Sequence, residues 1–149
     1  MKKIVTNFNT VLDCLRSINY INGGGCGIAA LAMYRWLEAN KYLTSNTKVV
    51  YLYRNYDKGL YDNNKQYIEN GDGEINSCNH AVLFHYGNYI DCRGVLDKVV
   101  LNDYPFKQLI EEEILVESLN TDTWNSMFNR EISIPFIEKM LGVDLSDIL

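Results

Sequence analysis

The stretch Gly24-Gly25-Cys26-Gly27-Ile28-Ala29-Ala30-Leu31-Ala32-Met33 sets a thiol between glycines at the head of a strongly apolar run. A cysteine in the first turn of a helix meets the positive end of the macrodipole and backbone N–H groups without intrahelical partners. Both favour the thiolate. Flanking glycines let a substrate backbone approach the sulfur and leave N–H groups free to face a developing oxyanion. A nucleophilic thiol also needs an imidazole to take its proton and a group to orient that imidazole. His80 opens an apolar, strand-like run and Asp91 lies in the next one, so Cys26, His80 and Asp91 are the candidate nucleophile, base and orienter.

For these three to meet, a helix must begin near Cys26 and pack on the strands that carry the other two. Residues 28–37 are apolar almost all round for two turns, the pattern of a helix buried on most sides. Small residues at Gly27, Ala29, Ala30 and Ala32 let other elements come close. Ahead of it, Asn9 is expected to cap a helix over 10–19 with Val11, Leu12, Leu15 and Ile18 on one stripe and Cys14 packing at its border. Residues 47–53 read as a strand, and 57–79 as a polar, mobile surface excursion carrying a short helix, with Gly71-Asp72-Gly73 as its turn. Residues 80–84 and 89–92 read as a β-hairpin, which leaves His85 in a loop or on the surface. A further strand is expected over 95–101. Asp103 and Pro105 are placed to start a helix ending near Glu112, with Glu111-Glu112-Glu113 as its solvated end. A strand over 114–119 follows, then two short helices from Asp122 and from Pro135. Helices first, a sheet in the middle and mixed elements last give an α+β fold rather than an alternating one.

The hairpin contains an internal test. With Gly87-Asn88 as a two-residue turn, Phe84 would face Asp91, and His80 would lie about 13 Å away along the strand. With His85-Tyr86-Gly87-Asn88 as a four-residue loop, Val82 opposes Asp91, and His80 becomes its diagonal neighbour at ~7–8 Å, within side-chain reach. A Cys26–His80–Asp91 site requires the second register or a bulge.

Gly25-Cys26-Gly27-Ile28-Ala29-Ala30-Leu31-Ala32-Met33, then His80-Ala81-Val82-Leu83-Phe84, then Tyr89-Ile90-Asp91, resembles the papain-like cysteine hydrolase superfamily over residues 19–94. Transglutaminase-like domains and bacteriocin-leader peptidase domains are the nearest flavours. The resemblance implies a buried N-terminal helix carrying Cys26, packed on an antiparallel sheet that holds His80 and Asp91. It also implies acyl transfer without a cofactor, on a peptide or protein substrate. Papain-like peptidases carry a Gln about six residues before the nucleophile as an oxyanion donor. Tyr20 holds that place here, so Asn22 or Asn19 is the expected side-chain donor. Cys92 follows Asp91 where leader peptidases often have Pro.

The composition bounds the alternatives. The 149 residues, 47 % hydrophobic and 22 % charged, suit one globular domain over 1–149. A net charge of −5 without a basic cluster argues against nucleic-acid binding. No apolar run approaches the ~20 residues of a membrane span, and the first residues lack a signal-peptide core, so a cytoplasmic protein is expected. The four cysteines, Cys14, Cys26, Cys78 and Cys92, are too sparse for a disulfide framework. Gly23-x-Gly25 lacks the features of a phosphate loop, and Ala32 stands where a Cys-x5-Arg phosphatase needs its arginine. Two other readings stay open. One is a non-catalytic binding or assembly module on the same fold. The other is a zinc-binding interaction domain using Cys78, His80, His85 and Cys92, although no Cys-x2-Cys pair is present.

Overall fold

The computed structural model describes residues 7–71, 75, 78–120 and 132–148. Helix α1, Phe8–Arg16, starts two residues earlier than expected. Asn7 accepts the Thr10 N–H at 3.0 Å, and Asn9 lies inside the helix. Val11, Leu12 and Leu15 form its buried stripe. A chain of tight turns follows, with Tyr20 at φ 66° and Gly24 at φ 106°. Helix α2, Cys26–Ala39, then runs through the core, buried at every position from Cys26 to Met33.

Five strands form one antiparallel sheet: β1 Lys48–Tyr53, β2 His80–His85, β3 Asn88–Asp91, β4 Gly94–Val95 and β5 Phe106–Ile110, in the order β4-β3-β2-β1-β5. Val49, Tyr51, Tyr53, Ala81 and Leu83 pack with α2 on one face. Val50, Leu52 and Val82 pack with Leu96 and Tyr104 on the other. Burial on both faces explains why β1 reads as an unbroken apolar run rather than an alternating one.

The α+β expectation agrees with this mixture of helices and antiparallel sheet, but several elements differ from their sequence reading. Within 57–79 lies a thirteen-residue helix, α3 Lys58–Asn70, ended by Gly71 in the left-handed conformation. Leu60, Tyr61 and Ile68 pack on the core. Buried Asn64 donates to the Tyr53 hydroxyl (2.7 Å), which donates to Gln108 Oε1 (2.8 Å). A helix whose packing face includes a buried amide looks polar in sequence. The expected strand over 95–101 is only Gly94–Val95. Asp97 accepts the Val100 N–H at 3.0 Å and caps helix α4, Lys98–Asn102, in its place.

Farther on, the expected helix and strand exchange order. β5 occupies the stretch after Pro105 because its pairing with β1 satisfies backbone groups along that edge. Residues 114–119 belong to helix α5, Glu112–Asn120, whose buried Leu115, Ser118 and Leu119 recur at helical spacing. The acidic triplet therefore meets the start of a helix, where the dipole favours negative charge. Glu112 pairs with Arg35 at 2.7 Å, and Arg35 also clasps Asp147 at 2.7–2.8 Å, tying α5 and the C-terminal turn to α2. Helix α6, Ile134–Leu141, carries Pro135 in its first turn and a Ser133 cap. The helix expected from Asp122 lies outside the described residues. Among those described, no helix is long and apolar enough to cross a membrane.

Candidate active site

The head of α2 is built from bare backbone. Its N-cap, Gly25, offers no side-chain cap, and the Gly25 carbonyl accepts the Ala29 N–H at 3.0 Å. The amides of the first turn, that of Cys26 included, thus have no partner within the helix. Gly25 itself serves packing: a Cβ there would lie 2.9 Å from the Ile21 Cα and carbonyl oxygen and would overlap Ile132 Cδ1. Its missing side chain is filled by Ile21 and Ile132, rather than left as an approach path for a substrate.

The hairpin adopts the register that a joint site requires. Leu83 pairs with Ile90 and Phe84 with Tyr89, which sets Val82 opposite Asp91. The loop is shorter than the four residues expected. His85 and Asn88 extend the ladder, and Tyr86-Gly87 turn at φ 49° and 75°, the left-handed pair of a type I′ turn. A two-residue turn at 86–87 and a four-residue loop at 85–88 give the same register, so His80 meets Asp91 either way. Nε2 of His80 lies 2.9 Å from Asp91 Oδ2. The imidazole is also electrostatically coupled to the Cys26 thiol. Cys26, His80 and Asp91 are 4 %, 5 % and 2 % exposed.

Electrostatics follow from these contacts. Burial alone would push the His80 imidazole down, but its hydrogen bond to Asp91 and the influence of the Cys26 thiol outweigh that and lift its pKa to about 9. Burial alone would raise Asp91, but bonds from His80 and Arg93 hold it down at about 2. Arg93 was not singled out by the sequence reading. Its backbone N–H donates to Asp91 Oδ1 (2.8 Å), and its Nη2 and Nε reach Oδ2 at 2.6 and 3.0 Å. The available signal was a cation two residues past the acid, across a tight turn. Tyr104 lies over the His80 ring, with centroids 6.2 Å apart.

Other candidates go elsewhere. The Asn22 side chain lies near the Cys92 thiol with its Oδ1 buried and without a hydrogen-bond partner, and Asn19 is exposed in the turn before α2. The backbone N–H of Cys26, without a partner within the helix, is the donor built into the helix start. Cys78 is buried beside the site, and burial holds its thiol well up, with the Cys26 sulfur adding to the effect. His85 is neither loop nor surface. It is the buried last residue of β2, with Nδ1 2.7 Å from the Thr47 hydroxyl. Strand alternation turns it away from His80, so Cys78, His80, His85 and Cys92 do not converge. Among the described residues no cluster of three or more His, Cys, Asp or Glu could hold a metal ion. All four cysteines are free thiols. No family model, curated protein or solved structure matches the chain.

Proposed function

We propose that this chain is a cysteine-dependent acyl-transfer enzyme of papain-like type, acting on a peptide, isopeptide or side-chain amide of a protein. The observation that carries the reading is one buried imidazole bonded to a carboxylate and electrostatically coupled to a sulfur at a helix N-terminus. Cys26 is the nucleophile, His80 the proton carrier and Asp91 the residue that orients it. No cofactor is required.

An imidazole that keeps its proton up to about pH 9 faces the sulfur as a cation at neutral pH, the state that stabilises a thiolate. The reaction starts from the state in which the proton sits on His80. The Cys26 thiolate forms a bond to the carbonyl carbon, and the carbonyl electron pair moves onto oxygen, toward the Cys26 N–H. Collapse expels the amine, which takes the proton from His80 and leaves a thioester. Water or a second amine then adds to the thioester, giving its proton to neutral His80. Collapse of that adduct restores thiolate and imidazolium. Peptidase or deamidase chemistry uses water at this step, and transglutaminase-like chemistry uses an amine.

The near-complete burial of sulfur and imidazole favours a second reading, a binding or assembly module on the same scaffold. Peptide-resolved alkylation with iodoacetamide at pH 6 separates the two. The enzyme reading expects Cys26 to react fastest of the four cysteines and to slow ~100-fold in His80→Ala, the scale of a lost proton-transfer partner. A Cys26 that reacts slowly in both proteins leaves only the scaffold.

A further inference from the structure

The cations around the site are unevenly used. Arg93 is spent on Asp91. Arg54 is exposed just past the end of β1, and its place is fixed by the chain leading into the site. Its backbone N–H donates to Asn79 Oδ1 at 2.7 Å, and Asn79 in turn donates its own N–H to the Leu52 carbonyl at 3.1 Å. Asn79 directly precedes His80, and Leu52 is the β1 partner of His80. The Arg54 guanidinium carbon lies 5.3 Å from the centroid of the Tyr104 ring, the ring that covers His80, and Nη2 contacts the Tyr104 hydroxyl at 3.4 Å.

Its acidic neighbours leave that guanidinium available. Asp57 accepts from the Asn79 side chain at 2.6 Å, and Asp91 is taken by His80 and Arg93. Asp103 acts on Arg54 only electrostatically, and among the described residues Arg54 forms no ion pair. Lys107 adds a second cation on this face. It pairs with Leu52 in the same cross-strand row as His80, and its ammonium bonds the Tyr104 carbonyl at 2.8 Å. In a chain of net charge −5, two cations with no carboxylate partner among the described residues meet at Tyr104, whose ring lies over the candidate base.

Resting on the acyl-transfer reading, we propose that Arg54, propped on Tyr104 and supported by Lys107, is a specificity-determining residue that selects acidic peptides. It would hold an Asp or Glu side-chain carboxylate next to the bond that Cys26 attacks. Arginine suits this role because its planar fork matches a carboxylate, and stacking on an aromatic ring pre-orders it.

The test compares two small reagents at Cys26 in the full-length chain, anionic iodoacetate and neutral iodoacetamide, in wild type, Arg54→Gln and Arg54→Lys. A matched pair of peptidyl vinyl sulfones, differing only in Glu against Gln, supplies a peptide-sized version. The expected result is an iodoacetate-to-iodoacetamide rate ratio that falls about fivefold in Arg54→Gln, recovers in Arg54→Lys, and in wild type declines with added salt. Preference for the Glu probe should disappear in Arg54→Gln alone. An unchanged ratio in Arg54→Gln, with iodoacetamide still fast, would overturn the proposal and leave the Cys26–His80 pair standing. Slow iodoacetamide labelling of wild-type Cys26 would overturn the acyl-transfer reading and the acidic specificity with it.

Discussion

One strand, β2, carries a histidine at each end, and the two are driven in opposite directions. Both are buried, and burial disfavours an imidazolium in each. At His80 a carboxylate and a sulfur answer that penalty and lift the imidazole to about 9. At His85 the neighbours are the Thr47 hydroxyl and the ring of Tyr86, with centroids 4.5 Å apart, and burial alone lowers it. The same side chain in the same strand is thus a held cation at one end and a neutral packing group at the other. The decisive variable is the charge of the group opposite the ring, not the depth of the ring.

The largest effect that can break this contrast comes from removing that charge. Asp91→Ala leaves a buried imidazole, and one face of Arg93, without their carboxylate. The expected cost is about 3 kcal/mol, the range for a buried ion pair that loses one member. Urea unfolding measures it. If the loss were below ~1 kcal/mol, the His80–Asp91 contact would be no stronger than an exposed pair.

Titration sharpens the contrast next. The two histidines should give two separate imidazole resonances by NMR, one titrating near pH 9 and one below the ordinary 6.5. His80, with its folded value raised, contributes stability that is fully present below pH 6.5 and lost as pH climbs through about 9. Its size is on the order of 3 kcal/mol at most. Asp91, held down, contributes stability present above its ordinary 3.8 and lost as pH falls toward 2. His85 works against His80: its contribution is present above 6.5 and lost as pH falls below its lowered value. Maximal stability is therefore expected between pH 4 and 6.5 if His80 dominates. A maximum above pH 8 would show that it does not.

How much of this was legible follows the same division between local and distant causes. The start of α2 was legible because glycines, a thiol and an unbroken apolar run state a buried helix within a dozen residues. The hairpin register was legible because His80 and Asp91 could meet in one register only. The turn inside it was not, since Tyr86 at φ 49° goes against side-chain preference and is set by the ladder closing at His85 and Asn88. The stretch from Val95 to Leu119 was misread because long-range pairing decides it. Residues 106–110 become a strand by joining the far edge of β1, and 112–120 become a helix by laying Leu115 and Leu119 in the core. Neither cause is visible in a local window. Arg93 and Arg54 were missed for a related reason: their roles come from where a tight turn and a strand end place them, and an exposed arginine carries no pattern of its own.

The smallest effect lies at the far end of β2. Thr47 Oγ1 accepts the Thr44 N–H at 3.0 Å and meets His85 Nδ1 at 2.7 Å, so the hydroxyl links a turn to a neutral ring. Thr47→Val keeps the shape and removes the bond to His85 and both bonds to Thr44, from its N–H and its hydroxyl. The expected loss is about 1 kcal/mol, set by the buried His85 ring and the part-buried Thr44 losing a neutral partner. It should not depend on pH between 7 and 9, because His85 carries no charge to lose in that range. Chemical denaturation at pH 7 and pH 9 measures both points. A loss that grew as pH fell toward 6 would mean that the hydroxyl supports an imidazolium, and the two ends of β2 would then differ in degree rather than in kind.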